Sequence, residues 1–159
     1  MAKKLTKAQI KDINFQYLPR LTVTNVEEYL QKSAARSTRL RKNLSCQIDV
    51  PYGDTPGQML DIFPAARKGA PVHVFIHGGY WRSLDKGIYS HIAGPMVAAG
   101  ATVVLPNYDL CPQVRITDIV QQMRRAIVWV YKNIAKHNGD PKRIYVSGHS
   151  AGGHLTGMM

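Results

Sequence analysis

Two short runs carry residues that can do chemistry. One is Gly148-His149-Ser150-Ala151-Gly152, a G-x-S-x-G, and the other is His77-Gly78-Gly79-Tyr80-Trp81. A serine hydroxyl is a poor nucleophile at neutral pH; it needs an adjacent base and a place for developing negative charge. The first run is entered from the apolar residues Ile144-Tyr145-Val146 and leads into a helix. In that context the motif makes a sharp turn that strains the serine backbone and leaves Oγ standing clear. Glycines two residues to either side leave room for the neighbouring chain, and the helix N-terminus offers N–H groups to an oxyanion. In the second run, successive glycines let the backbone approach a substrate closely and aim N–H groups at one point. Ser150 is therefore the candidate nucleophile. Gly78, Gly79 and Ala151 are the candidate oxyanion donors, and His77, Gly148 and Gly152 support the two motifs. Taken singly, the runs read also as a Gly-rich turn with a surface serine and as a flexible loop. At one edge of one parallel sheet, in this chain order, they read as a single acyl-transfer site.

The remaining polar residues are weighed against that site. His77 belongs to the oxyanion loop and is expected to hold it by hydrogen bonds. His149 and His154 flank the nucleophile; His154, four residues beyond Ser150, is expected in packing. His73, His91 and His137 have no argued catalytic place. Asp140 is expected at the opposite edge of the sheet, Asp109 near the site, and Asp61 on an exposed face. Tyr80, Trp81, Tyr108 and His149 are candidates for a substrate pocket, the alternative being that the aromatic side chains pack the loop onto the domain. No H-E-x-x-H, C-x-x-C or phosphate-loop spacing is present, so neither metal nor cofactor is expected.

These residues need a scaffold. The segment 7–17 reads as a helix capped by Thr6 and ended by Pro19. Asn25 can cap a second helix running to about residue 39, with Val26, Tyr29 and Leu30 on one side. The period then changes. Residues 44–50 and 58–63 read as strands with a turn-rich connection, and 72–76 and 102–105 as buried strands. Between the last two lies a helix over 86–99, kinked or started by Pro95 and followed by Gly100. An apolar stripe at spacings of three and four marks a helix over 116–137, stopped by Asn138-Gly139-Asp140-Pro141. Residues 144–147 form the next strand. Strand and helix in alternation predict an α/β fold with a mostly parallel sheet and flanking helices, whose ligands bind beyond the carboxyl ends of the strands. The expected division is a helical segment, 1–43, and an α/β segment, 44–159.

Composition fits a globular chain. The 159 residues are 45% hydrophobic and 19% charged, with a net charge of +11. Such charge raises nucleic acid or an acidic membrane as partners. The cations are dispersed, however, and their densest cluster, Arg36, Arg39, Arg41 and Lys42, comes with no recognition motif, so a solvated helix face is expected. Cys46 and Cys111 read as free buried thiols. With no secretory h-region and no apolar run of about 20 residues, the expectation is a soluble cytoplasmic protein. The expected partner is a small-molecule substrate, with a homodimer open, and neither nucleic acid nor membrane.

His77–Trp81, Asn107-Tyr108-Asp109-Leu110 and Gly148–His154 together resemble the kynurenine formamidase (arylformamidase) branch of the α/β-hydrolases, near the hormone-sensitive-lipase-like esterases. Tyr17, Arg20 and the stretch 33–36 look like that family's leading segment. The resemblance implies an α/β-hydrolase fold and hydrolysis of an acyl or formyl group through an acyl-enzyme, with N-formyl-L-kynurenine as the leading substrate. A general carboxylesterase and a non-catalytic binding module on the same scaffold are the competing readings. The resemblance also implies the triad order Ser, then Asp or Glu, then His. Nine residues follow Ser150. The chain is therefore expected to be the N-terminal half of the fold, cut just after the nucleophile turn, lacking the triad acid and base and inactive alone.

Overall fold

The computed structural model describes residues 4–18 and 21–159. Contacts divide the chain into two units, Met1–Lys32 and Ser33–Met159. In the first unit, Thr6 opens α1 (Lys7–Tyr17) with a reciprocal capping box: its Oγ1 accepts the Gln9 N–H at 3.3 Å, and Gln9 Oε1 accepts the Thr6 N–H at 2.9 Å. Two orphan donors of the first turn are satisfied in this way. Pro19, expected to end this helix, and Arg20 lie outside the described residues. The second helix, α2 (Val26–Asn43), follows Asn25, and its Glu28 pairs with Lys32 one turn on at 2.5 Å. Tyr29, expected on its apolar side, is 59% exposed.

α2 runs past its expected end because its last turns are anchored within the second unit. Ser37 Oγ donates to the Ile88 carbonyl (2.8 Å), and Arg41 donates to Gly87 O (2.5 Å) and Ser90 Oγ (2.8 Å). Of the basic cluster, Arg36, Arg39 and Lys42 are exposed as a solvated face, whereas Arg41 is structural.

Five strands form one sheet in the order β1-β2-β4-β3-β5: β1 (Gln47–Pro51), β2 (Met59–Phe63), β3 (Ala70–Ile76), β4 (Thr102–Pro106) and β5 (Gly139–Gly148). β1 and β2 form the expected antiparallel hairpin, and β2 joins β4 antiparallel. β3 runs parallel to both β4 and β5, with Val72, Val74 and Ile76 opposite Ile144, Val146 and Gly148. β4 leads to β5, which runs parallel to it on the far side of β3, through the long α4 (Ile116–Asn133), a crossover of the kind parallel strands require. This is the architecture expected of the N-terminal half of an α/β-hydrolase. On one face, Leu60, Ile62, Val72, Val74, Ile76 and Val104 pack against Ile119, Met123, Ala126 and Val130 of α4 and against Leu155. On the other, Phe63, Val103 and Leu105 pack against Ala93, Val97, Leu40 and Leu44. Cys46 and Cys111 are both free thiols, only half buried.

Three local differences have physical reasons. The helix expected over 86–99 is two pieces, a 3-10 stretch Lys86–Ile92 capped by Asp85 and α3 (Ala93–Ala98). Pro95 sits in the first turn of α3, where a missing N–H breaks no helical bond. Likewise the helix expected over 116–137 tightens into 3-10 geometry at Ile134–His137, and Asn138 at φ 64° turns the chain into β5. Ile116, expected on the apolar stripe, is 40% exposed. Asp61, expected on an exposed face, is 1% exposed. β2 is an interior strand covered on both faces, and the charge is met by Lys86 Nζ at 2.7 Å. Lys86 also pairs with Asp49 at 2.5 Å.

Candidate active site

β5 ends at Gly148 and α5 (Ala151–Gly157) begins with two residues between them, so the whole reversal falls on His149 and Ser150. Ser150 takes φ 55°, ψ −120°, a conformation that residues with a Cβ rarely adopt. The flanking glycines permit the bend. A Cβ on Gly152 would collide with the carbonyl oxygen of Ile76, and one on Gly148 with the carbonyl of Gly152. The helix start is thereby drawn against the end of β3. His149 N–H donates to Ile76 O (3.3 Å), while the N–H groups of Gly152, Gly153 and His154 close the first turn of α5 onto His149 O and Ser150 O. Ser150 and His149 are exposed.

Residues 77–81 leave β3 directly beside this bend. A Cβ on Gly78 would sit 2.8 Å from His149 O and 3.2 Å from Ser150 Cβ, so absence of a side chain is what lets the two segments touch. Gly79 is at φ 123°, followed by Tyr80 (57°) and Trp81 (58°), three consecutive positive-φ residues. Gly79 O closes the turn by accepting from Arg82 N–H (3.1 Å), Ser83 N–H (3.0 Å) and Ser83 Oγ (2.8 Å). Among the described residues, the N–H groups of Gly78, Gly79 and Ala151 make no hydrogen bond within the chain. His77 is 1% exposed, its ring stacked on Tyr108 with centroids 4.3 Å apart. Its Nδ1 lies 2.7 Å from Gly78 O and its Nε2 2.8 Å from Asn107 Oδ1. Burial pushes the imidazole below the usual histidine range, against the opposing pull of those two hydrogen bonds.

Comparisons with known proteins take in the segments that form the strained serine turn and the diglycine loop packed on it. Residues 60–159 match the family model described as BD-FAE, which takes in both motifs. The chain belongs to the BD-FAE family. Among curated relatives of this BD-FAE chain, it is 31% identical over 147 residues to the kynurenine formamidase of Danio rerio, covering 91% of this chain and 49% of the relative. It is 35% identical over 111 residues to esterase LipC of Mycobacterium tuberculosis, covering 67% of this chain and 28% of LipC. A solved candidate thioesterase from a Silicibacter species superposes with a TM-score of 0.82 at 33% identity, over 90% of this chain and 53% of that one. The chain thus spans about half the length of the formamidase and the thioesterase it matches.

The BD-FAE chain does not use every expected pocket residue alike. Tyr80 is 51% exposed, with the Arg82 guanidinium 5.2 Å above its ring. Trp81 is half buried, packs on the main core and meets His154 edge-on at 5.3 Å. Tyr108 is a correction to the pocket set. It is 1% exposed, and its hydroxyl donates to His77 O at 2.9 Å, so it underlies the loop instead of lining a cavity. Burial raises its phenol above the ordinary tyrosine range. His154, expected in packing, is exposed. The Asp109 carboxylate accepts from Thr55 Oγ1 (2.6 Å), Gly57 N–H (3.1 Å) and Gln122 Nε2 (2.8 Å). Asp140 falls within the first residues of β5, at the sheet edge opposite Ser150, paired with Arg143 at 2.9 Å. Asn107 carries no chemical motif of its own; its place directly after a parallel strand is the signal that sets its Oδ1 2.8 Å from His77 Nε2. Among the described residues, no group of three or more His, Cys, Asp or Glu side chains could hold a metal, and no helix is long and apolar enough to cross a membrane.

Proposed function

We propose that the full-length protein is a serine hydrolase that cleaves a formyl or acyl group, with N-formyl-L-kynurenine as substrate and L-kynurenine and formate as products, a step of tryptophan catabolism. The observation that carries this reading is Gly78 packed against Ser150 Cβ, with Ser150 itself in a strained turn. Ser150 Oγ attacks the formyl carbon while a base takes its proton. The carbonyl oxygen becomes an oxyanion held by the N–H groups of Gly78, Gly79 and Ala151. Collapse breaks the C–N bond as the protonated base returns its proton to the leaving amine. Water then hydrolyses the formyl-enzyme to formate by the same steps. Tyr80, Trp81 and His149 border the substrate ring, and no cofactor takes part. The acid and base belong to the later part of the fold, so the 159-residue chain alone is inactive. The two unpaired cysteines favour the cytoplasm.

A general carboxylesterase is the second reading, favoured by the similarity to an esterase over 67% of the chain. Offering the full-length protein both N-formylkynurenine and a p-nitrophenyl ester separates the two. Formamide cleavage abolished by Ser150→Ala supports the first, and ester turnover without it supports the second. No labelling of Ser150 by a fluorophosphonate would reject both and leave a binding module on a hydrolase scaffold.

A further inference from the structure

Beyond Gly79 the loop carries Tyr80, Trp81 and Arg82. Tyr80 and Trp81 hold φ 57° and 58°, where a bulky side chain is an outlier and glycine would sit freely. Such backbones persist where the side chains they orient are used, ligand clamps among them. The two rings meet edge-on with centroids 5.5 Å apart, and Trp81 meets His154 edge-on at 5.3 Å. His154 N–H in turn donates to Ser150 O at 3.2 Å. A file of rings therefore leads outward from the nucleophile turn. At its outer end the Arg82 guanidinium lies 5.2 Å from the centroid of the Tyr80 ring, over its face. The Arg82 backbone is fixed as well, its N–H donating to Gly79 O at 3.1 Å. Arg82, Tyr80, His154 and Ser150 are all exposed.

An arginine supported on an aromatic face keeps the N–H groups along its edges for a planar partner that accepts two of them. Here that partner is missing: among the described residues the Arg82 guanidinium makes no ion pair and no hydrogen bond. The other ionised side chain of residues 77–85, Asp85, is already turned to the Gly87 N–H at 2.6 Å, where it caps the 3-10 stretch. The free charge on this loop is thus positive. We propose that Arg82, steadied by Tyr80, binds a carboxylate on the substrate, so that the site takes anionic formyl or acyl compounds in preference to neutral ones. N-formyl-L-kynurenine carries such a group, an α-carboxylate at the end of the molecule remote from the formyl group. Its aromatic ring, between the two, then lies along Trp81 and Tyr80.

The inference rests on the hydrolase reading for its substrate and adds the group that selects it. The test compares N-formyl-L-kynurenine with its α-carboxamide, which has the same shape without the negative charge, on the full-length protein. The wild-type enzyme is expected to favour the acid by about tenfold or more in kcat/KM, the range of a charge-assisted pair. Arg82→Gln should bring that ratio to within about twofold of unity, chiefly through KM for the acid, because a remote contact is made equally in ground and transition states. Arg82→Lys, which keeps the charge without the fork, should retain part of the preference. Raising the salt concentration should narrow the wild-type ratio, since the site is open to solvent. A wild-type ratio already within about twofold of unity, or an Arg82→Gln ratio equal to that of wild type, overturns the proposal. If the wild-type protein cleaves neither compound, the hydrolase reading falls. Calorimetric binding of the same pair then still decides: tighter binding of the acid that Arg82→Gln abolishes sustains the carboxylate site, and equal binding, or none, overturns it.

Discussion

At the scale of single residues, the site is a place where the fold stores strain. Ser150 at φ 55°, ψ −120° carries a Cβ into a region that glycine occupies freely. A penalty of about 1–3 kcal/mol attaches to such a backbone, partly offset for glycine by its larger unfolded-state entropy of about 0.5–1 kcal/mol. Ser150→Gly is therefore expected to raise Tm by about 2–6 °C, while Ser150→Ala, which keeps the Cβ, leaves Tm nearly unchanged. Thermal unfolding of the two variants checks this, and a lower Tm for the glycine variant would show that the turn is relaxed. His77 makes a second prediction. Its folded-state pKa lies below the ordinary value of about 6.5 because burial disfavours the imidazolium. The unfolded chain then binds the extra proton between the two values, so stability is complete above about pH 6.5 and is lost as pH falls through the folded value. Half-buried His73 and His137 shift in the same direction, whereas Asp140 and Glu28, both held low, titrate below this window. Tm should fall between pH 7 and pH 5, and His77→Gln should flatten that slope. A wild-type Tm constant across this range would contradict the account.

At the scale of elements, periodicity marked the existence of every strand and helix of the α/β unit, because β3, β4 and the second half of β5 carry apolar runs and α4 a regular stripe, while the charged first half of β5, Gly139–Arg143, read as a helix stop. What it missed were contacts between elements distant in sequence. Asp61 reads as an outward-facing residue in a short strand, and nothing local says that Lys86, 25 residues later, reaches back to it. That pair ties β2 to the first residue of the 3-10 stretch. Burial alone would lower the Lys86 pKa, yet the carboxylates of Asp49 and Asp61 outweigh it and hold the ammonium above the usual lysine range. Asp49 is 66% exposed and contributes little, so the energetic weight falls on Asp61, whose Oδ2 has no hydrogen-bond partner. Removing the cation strands a buried carboxylate, a loss of about 3–5 kcal/mol. Lys86→Met is expected to lower the urea midpoint accordingly, and adding Asp61→Leu should restore much of it. A double variant as unstable as the single one would show that the pair acts through something other than its charge. The site was legible for the opposite reason. Glycines at 78, 148 and 152 are written into the sequence by the backbone contacts they permit, whereas the burial of Tyr108 and the contact of Asn107 with His77 depend on β4 lying beside β3.

For the whole molecule, the decisive feature is the free side of the sheet. β5 pairs with β3 on one side, and among the described residues no strand lies on the other. Such an edge presents a row of unpaired N–H and C=O groups, which proteins usually blunt with charge, proline or a covering element. β5 does so only in its first half, at Pro141, Lys142 and Arg143; Ile144–Val146 is uncharged, with Tyr145 60% exposed. Against this stands the net charge of +11, which keeps copies of the chain apart. Charge repulsion is screened by salt and backbone pairing is not. The 159-residue chain is therefore expected to self-associate increasingly between about 50 mM and about 500 mM salt, as the Debye length shrinks from above 10 Å to below 8 Å. Tyr145→Lys places a charge on the bare stretch and should hold the monomer to higher salt. Light scattering across a salt series gives the test: a wild-type chain that stays monomeric at every ionic strength would mean that the edge of β5 is already satisfied.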